Sequence, residues 1–146
     1  MMDRYLFLDI DGVLNNAKSN EESLTFPCID DVNSRQLKNI VEATGARVVL
    51  TSTWKEDYLE DEAVRRFLDD RLPICGVTED RILDRGKGIL AYLSAHPEVK
   101  SYVILDDELF DYVECELIDH LVRTFYDCGL TEMDAERAIR ILGRLN

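Results

Sequence analysis

At 146 residues the chain is long enough to bury a real core, and one domain accounts for it. Its 46% hydrophobic and 32% charged content is that of an ordinary globular protein, and no apolar run approaches the roughly 18 residues of a membrane helix. A formal net charge of −13 with no basic stripe argues against an extended nucleic-acid interface, although a local patch still suffices to hold one phosphate.

The N-terminal Met-Met-Asp-Arg leads straight into an apolar run and leaves no room for a signal peptide, so a cytoplasmic location is expected. Cys28, Cys75, Cys115 and Cys128 form no Cys-x-x-Cys pair and have no histidine cluster beside them. Free thiols in a reducing compartment are the expectation, and zinc is not. Tyr5 to Leu8 reads as a buried first strand, closed by Asp9-Ile-Asp-Gly12. Asn16 to Asp30 is polar and irregular. Its roughly fifteen residues are long for a connection, which marks it as a small flap. Asp30 or Asp31 can cap a helix carrying Val32, Leu37, Ile40 and Val41, which Gly45 ends.

Ala46 to Leu50 is a second buried strand and delivers Thr51-Ser-Thr-Trp54 at its carboxyl end. A helix is expected from Lys55 to about Asp69, with Tyr58, Leu59, Val64, Phe67 and Leu68 inward, then a short strand from Ile74 to Val77. A loop with Arg81, Asp84, Arg85 and Gly86 precedes a helix that opens at Lys87, with Ile89, Leu90 and Leu93 facing the core. Ser101 to Leu105 is a fourth strand ending in Asp106-Asp107, and Leu109 to Asp119 is an acidic loop with a helical turn. A fifth strand from His120 to Phe125 and a helix from Thr131 to Leu142 follow, the latter with Ala135, Ala138, Ile139 and Leu142 inward.

Strands alternating with helices predict an α/β domain with a parallel five-stranded sheet and helices on both faces. In that architecture ligands bind beyond the carboxyl ends of the strands. Asp9, Asp11, Ser52, Lys87, Asp106 and Asp107 would then share one rim. Two like charges at the end of an apolar strand need a cation or a proton, and magnesium suits an all-oxygen set that also receives phosphate. A calcium loop is excluded by the missing Asp-x-[Asp/Asn]-x-[Asp/Asn]-Gly spacing. The set suits phosphoryl transfer. Asp9 is placed as nucleophile, Asp11 as general acid and base, Ser52 as hydrogen-bond donor to phosphate, and Lys87 as the opposing positive charge.

Each of these residues has a plainer reading. Thr51, Ser52 and Thr53 would serve as helix caps, Lys87 as a surface lysine, and Asp106-Asp107 as a turn. Trp54 reads as packing at the cleft wall rather than a stacking platform, and Arg81 and Arg85 as solvated loop arginines, with contact to a substrate phosphate or carboxylate as the alternative. Four such accidents on one rim are hard to arrange together.

Asp9-Ile-Asp11-Gly-Val, a hydroxyl after the second strand, Lys87, and Asp106-Asp107 after an apolar strand resemble, in order, the four motifs of the haloacid dehalogenase (HAD) superfamily of phosphohydrolases. Asp-Ile-Asp-Gly-Val-Leu-Asn and Val-Leu-Thr-Ser-Thr-Trp are more particularly similar to small HAD-like proteins of bacteria and phages, including domains attached to RNA-repair enzymes. The resemblance implies a three-layer Rossmann-like fold over residues 1–146, magnesium dependence and an aspartyl-phosphate on Asp9. It also implies that the Asp11 backbone carbonyl reaches the metal. Of the hydroxyls Ser52 is the choice, with Thr51 the alternative; of the acid pair, Asp107 is the direct ligand and Asp106 its supporting partner.

No room is seen for a large cap domain, so residues 16–30 are the possible small flap and the site should be open, suited to an accessible phosphate end or to a lid supplied by a partner chain. The expected activity is phosphomonoester hydrolysis of a small molecule or an accessible phosphate end. The alternatives are a nucleotide- or polynucleotide-end phosphatase, a phosphotransferase, or a catalytically idle binding module on the same fold.

Overall fold

The computed structural model describes residues 3–22, 28–79 and 84–144. Its frame is a five-stranded, fully parallel sheet of order β3-β2-β1-β4-β5, built from β1 (Arg4–Leu8), β2 (Arg47–Leu50), β3 (Ile74–Val77), β4 (Ser101–Asp106) and β5 (Leu121–Arg123). The continuous apolar runs explain the centre. Leu6, Phe7 and Leu8 of β1, and Val48, Val49 and Leu50 of β2, are fully buried because helices cover both faces of a parallel sheet.

On one face pack α2 (Asp31–Thr44), α4 (Glu62–Asp69) and α6 (Glu132–Leu142), through Leu37, Ile40, Val64, Leu68, Ala135 and Ala138 against Leu6, Leu8, Val48 and Leu50. On the other, α5 (Arg85–Ala95) and the segment after β4 set Ile89, Tyr112 and Leu117 against Phe7, Val49 and Ile104. This is the expected three-layer Rossmann-like fold, and among the described residues no second domain interrupts it.

Local chemistry sets the helix ends. Asp30 caps α2 by accepting the Asn33 amide at 2.9 Å, and Gly45 ends it at φ 71°. Thr131 and Asp134 form a reciprocal capping box at the start of α6. The single helix expected from Lys55 to Asp69 is two, α3 (Lys55–Glu60) and α4, because Asp61 leaves helical geometry and turns its carboxylate onto the Ala63 amide at 2.9 Å. The break also changes the inward stripe: Leu59 is 56% exposed, against expectation. Leu90 likewise points out from α5, while Ile141, unassigned from the sequence, is buried on α6.

The segment 16–30 begins as a short helix, α1 (Ala17–Glu22), tied down where the Ala17 amide donates to the Tyr126 carbonyl at 2.9 Å. The rest of that proposed flap, residues 23–27, lies outside the described residues, as does Arg81. No described helix is long and apolar enough to cross a membrane.

Candidate active site

Parallel register decides which residues meet. Leu8 is level with Leu50 on one side and with Leu105 on the other, so Asp9, Thr51 and Asp106 emerge together at the carboxyl edge. The ladder continues through them: the Thr51 amide donates to the Leu8 carbonyl at 2.9 Å, and the Asp9 amide to the Leu105 carbonyl at 3.0 Å. Leu8, Leu50 and Leu105 all belong to the core under α2, α4 and α6. Strand alternation therefore turns Asp9, Thr51 and Asp106 to the opposite face, beneath α5.

There they meet Arg85, the first residue of α5. Its guanidinium Nη1 lies 3.1 Å from Asp9 Oδ1 and 2.9 Å from Asp106 Oδ2, with all three side chains almost wholly buried. Phe110 stacks on the guanidinium, 4.4 Å from ring centroid to Cζ. Asp106 is held on every side: Tyr112 donates its hydroxyl to Oδ2 at 2.7 Å and the Glu108 amide donates to Oδ1 at 3.0 Å. Asp107 is less enclosed. Oxygens of Asp9, Asp106 and Asp107 lie within 4.8 Å of one another.

Crowding leaves its mark on ionisation. The Asp9 carboxyl is raised well above its usual range by burial and by the Asp106 charge, with Arg85 opposing. Asp107 is pushed up to about 6 by burial, then by Asp106. Burial alone would weaken the Arg85 cation, but Asp9 and Asp106 outweigh it and hold the proton firmly. Three converging carboxylates with one cation among them, all oxygen donors and no imidazole or thiol, fit magnesium rather than zinc.

The loop after β1 is shaped around this cluster. Gly12 turns at φ 83°, and a Cβ there would run into the Asp107 carboxylate, so only glycine fits. The Gly12 amide donates to Asn15 Oδ1 at 2.9 Å, and its carbonyl accepts the Thr124 hydroxyl at 2.7 Å. Asp11 is exposed but not loose. Asn15 Nδ2 donates to its Oδ1 at 2.9 Å, and the Trp54 indole N–H donates to Oδ1 and Oδ2 at 3.2 and 3.1 Å.

Two expected residues sit differently from their assigned roles. Ser52 is fully buried, and its Oγ accepts the Trp54 amide at 3.2 Å in the turn before α3. Thr51 stands level with Asp9, and its buried Oγ1 has no hydrogen-bond partner among the described residues. Lys87 is not beside the carboxylates. Its side chain is 73% exposed, with Nζ 3.8 Å from Asp84. The helix starts two residues earlier than expected, at Arg85, and residues two apart diverge by about 200° around a helix, so with Arg85 facing the cluster Lys87 faces away. The cation at the site is Arg85.

Sequence reasoning passed over Tyr112, Asn15 and Thr124, ranked a phosphate contact for Arg85 below a solvated loop position, and gave Trp54 only its packing role. Trp54 does pack, at 6% exposure, but it also holds Asp11. A usable signal existed for Arg85: an arginine placed opposite an exposed lysine in the first turn of a helix.

Comparison with curated proteins and with solved structures found no match. A family model described as the HAD domain in Swiss Army Knife RNA repair proteins matches residues 5–135, which run from the first strand through all five strands to the first turn of the last helix. With its acid-tipped central strand and its second acid pair one strand away, this chain belongs to that HAD-domain family.

Proposed function

We propose that the chain is a magnesium-dependent phosphomonoester hydrolase working through an aspartyl-phosphate on Asp9. The observation that carries the reading is the convergence of Asp9, Asp106 and Asp107 beyond the central strands, with Arg85 buried between two of them. A structural role alone would not concentrate three carboxylates where burial and mutual repulsion cost stability. Asp9 and Asp107 would hold the metal, with Asp106 fixed by Arg85, Tyr112 and the Glu108 amide as their support. Bound there, magnesium supplies positive charge between the carboxylates and a phosphate oxygen.

The chain's own residues do the rest. An Asp9 oxygen bonds to phosphorus while the bond to the leaving oxygen breaks, and Asp11 gives that oxygen its proton. Water then attacks phosphorus, Asp11 takes the proton back, and Asp9 is released with inorganic phosphate. For the phosphate-binding hydroxyl we favour Thr51 over Ser52, since Thr51 Oγ1 is buried without a partner on the face that Asp9 occupies. For the positive charge we favour Arg85 over Lys87. Arg85 Nε is also buried and unpartnered among the described residues. Buried polar atoms left without partners are what an incoming phosphate or its waters would satisfy.

A second reading, a phosphatase of polynucleotide ends, draws on the family's RNA-repair description. A terminal phosphate needs no long basic track, so a net charge of −13 does not oppose it. The test is hydrolysis of an aryl phosphate and of end-phosphorylated oligonucleotides, with and without magnesium, by wild type and Asp9→Asn. Magnesium-dependent release of phosphate, lost in the variant, is expected. Activity that survives in Asp9→Asn overturns the nucleophile assignment.

A further inference from the structure

We propose that Trp54 is the positioning residue of the acid/base: its indole N–H, with the Asn15 amide, clamps the Asp11 carboxylate in one orientation and leaves Oδ2 its less occupied oxygen. The inference rests on the phosphatase reading and deepens it.

Lone-pair accounting separates the two oxygens. Each carboxylate oxygen accepts about two hydrogen bonds. Asp11 Oδ1 accepts from Asn15 Nδ2 at 2.9 Å and shares the single Trp54 indole N–H, 3.2 Å away, with Oδ2 at 3.1 Å. Among the described residues Oδ2 has no other donor, so it is the less occupied of the two.

The clamp is also rigid where its target is not. Asp11 is exposed on a turn, and an unclamped exposed aspartate samples several rotamers. Trp54 is buried against the core under α2, α4 and α6, and its own amide is pinned to Ser52 Oγ at 3.2 Å. Asn15 is buried; its Oδ1 accepts the Gly12 amide at 2.9 Å, and the Nδ2 that meets Asp11 also donates to the Cys28 carbonyl at 3.3 Å. A buried indole needs some acceptor, and that need alone would account for one hydrogen bond. It does not account for a second buried side chain aiming its donor at the same carboxylate.

In the reaction, Asp11 gives its proton to the leaving oxygen as the phosphorus–oxygen bond breaks and the electron pair departs with that oxygen. Water later returns a proton to Asp11 as the phosphorus–Asp9 bond opens. Trp54 and Asn15 remain donors throughout and exchange no proton.

The test compares wild type with Trp54→Phe, which keeps the ring and removes the N–H, on alkyl phosphates and on 4-nitrophenyl phosphate with magnesium. Alkoxides leave only with a proton, whereas 4-nitrophenolate leaves without one. The loss of kcat/KM in Trp54→Phe should be greater on alkyl phosphates by about tenfold or more, within the range of general acid catalysis. An equal loss on both substrates, or none, assigns Trp54 a packing role and overturns the proposal. No magnesium-dependent hydrolysis of any phosphate by wild type overturns the phosphatase reading itself, and the proposal with it.

Emission supplies a readout that does not depend on turnover, because Trp54 is the only tryptophan in the chain. Asp11→Ala, an exposed change, should shift the resting emission and remove most of the response to magnesium plus beryllium fluoride. Emission identical to wild type in both states would show that the indole does not rest on Asp11, and would overturn the clamp even if Trp54→Phe failed to fold.

Discussion

Two of the buried polar clusters among the described residues, around Asn33 and around Asp9, are built on opposite plans. Around Asn33, at the start of α2, every side-chain atom is used: Nδ2 donates to the Cys128 and Leu130 carbonyls, both at 2.9 Å, and Oδ1 accepts from Asn16 Nδ2 at 2.9 Å. A Cβ at Gly129 would collide with Asn33, so the fit there is tight. Around Asp9 like charges face one another, and Thr51 Oγ1 and Arg85 Nε stand without partners among the described residues. Satisfied neutral networks hold a fold in one arrangement; an under-satisfied charged one is completed by a ligand.

That contrast can be broken experimentally, and the largest effect should come from Asp9→Asn. Turnover should fall by at least about a thousandfold, as befits loss of a covalent nucleophile, while thermal unfolding shows a fold at least as stable. A protein destabilised by that change would mean that Asp9 belongs to the structural kind of cluster. Asn33→Ala should do the reverse. Three buried hydrogen bonds at about 1 kcal/mol each predict a loss of about 3 kcal/mol in urea unfolding. Turnover of the folded fraction should be retained.

Asp107 offers a finer test through pH. Its folded value, about 6, exceeds the ordinary 3.8, so between those values the folded state binds more protons than the unfolded one. Its contribution therefore destabilises above pH 6 and is relieved as the pH falls toward 4. In chelator-treated protein, Asp107→Asn should be more stable than wild type at pH 7, with the gap closing on acidification. Magnesium should raise the wild-type Tm by binding the folded state and leave that of the variant nearly unchanged. A gap that widens on acidification would show that Asp107 is stabilised as a charge by something other than metal. The smallest effect belongs to Lys87→Ala, within about 0.5 kcal/mol in stability, as for surface sites without special contacts. Its kcat/KM should change less than that of Arg85→Ala, and the opposite ranking would return the cationic role to Lys87.

The sheet was readable because its strands are short unbroken apolar runs, each ending in polar residues at the same edge. The first motif was readable because two acids and a glycine closing such a run are costly to place there unless a cation joins them. Where the reading slipped, the cause was phase. Asp61 interrupts a helix by local hydrogen bonding that a periodicity scan does not register, so Leu59 was placed on the wrong side. A start misjudged by two residues exchanged Arg85 for Lys87. Contacts distant in sequence were the least accessible. Neither the Trp54 link to Asp11 nor the Tyr112 link to Asp106 leaves a spacing signature, because each depends on where separate elements pack.

The Thr124 contact has a consequence in time as well as in space. Its amide donates to the Asp106 carbonyl at 3.0 Å and its hydroxyl to the Gly12 carbonyl at 2.7 Å, joining the first loop to the fourth strand from a position 112 residues beyond Gly12. Gly12 is made long before Thr124, so the bolt that sets its loop arrives only after β5 has docked. Closing so long a loop is an entropic cost met late in folding. A nascent chain would therefore hold Asp9 with the surrounding geometry incomplete until β5 is in place, and the loop would be set in a single late step.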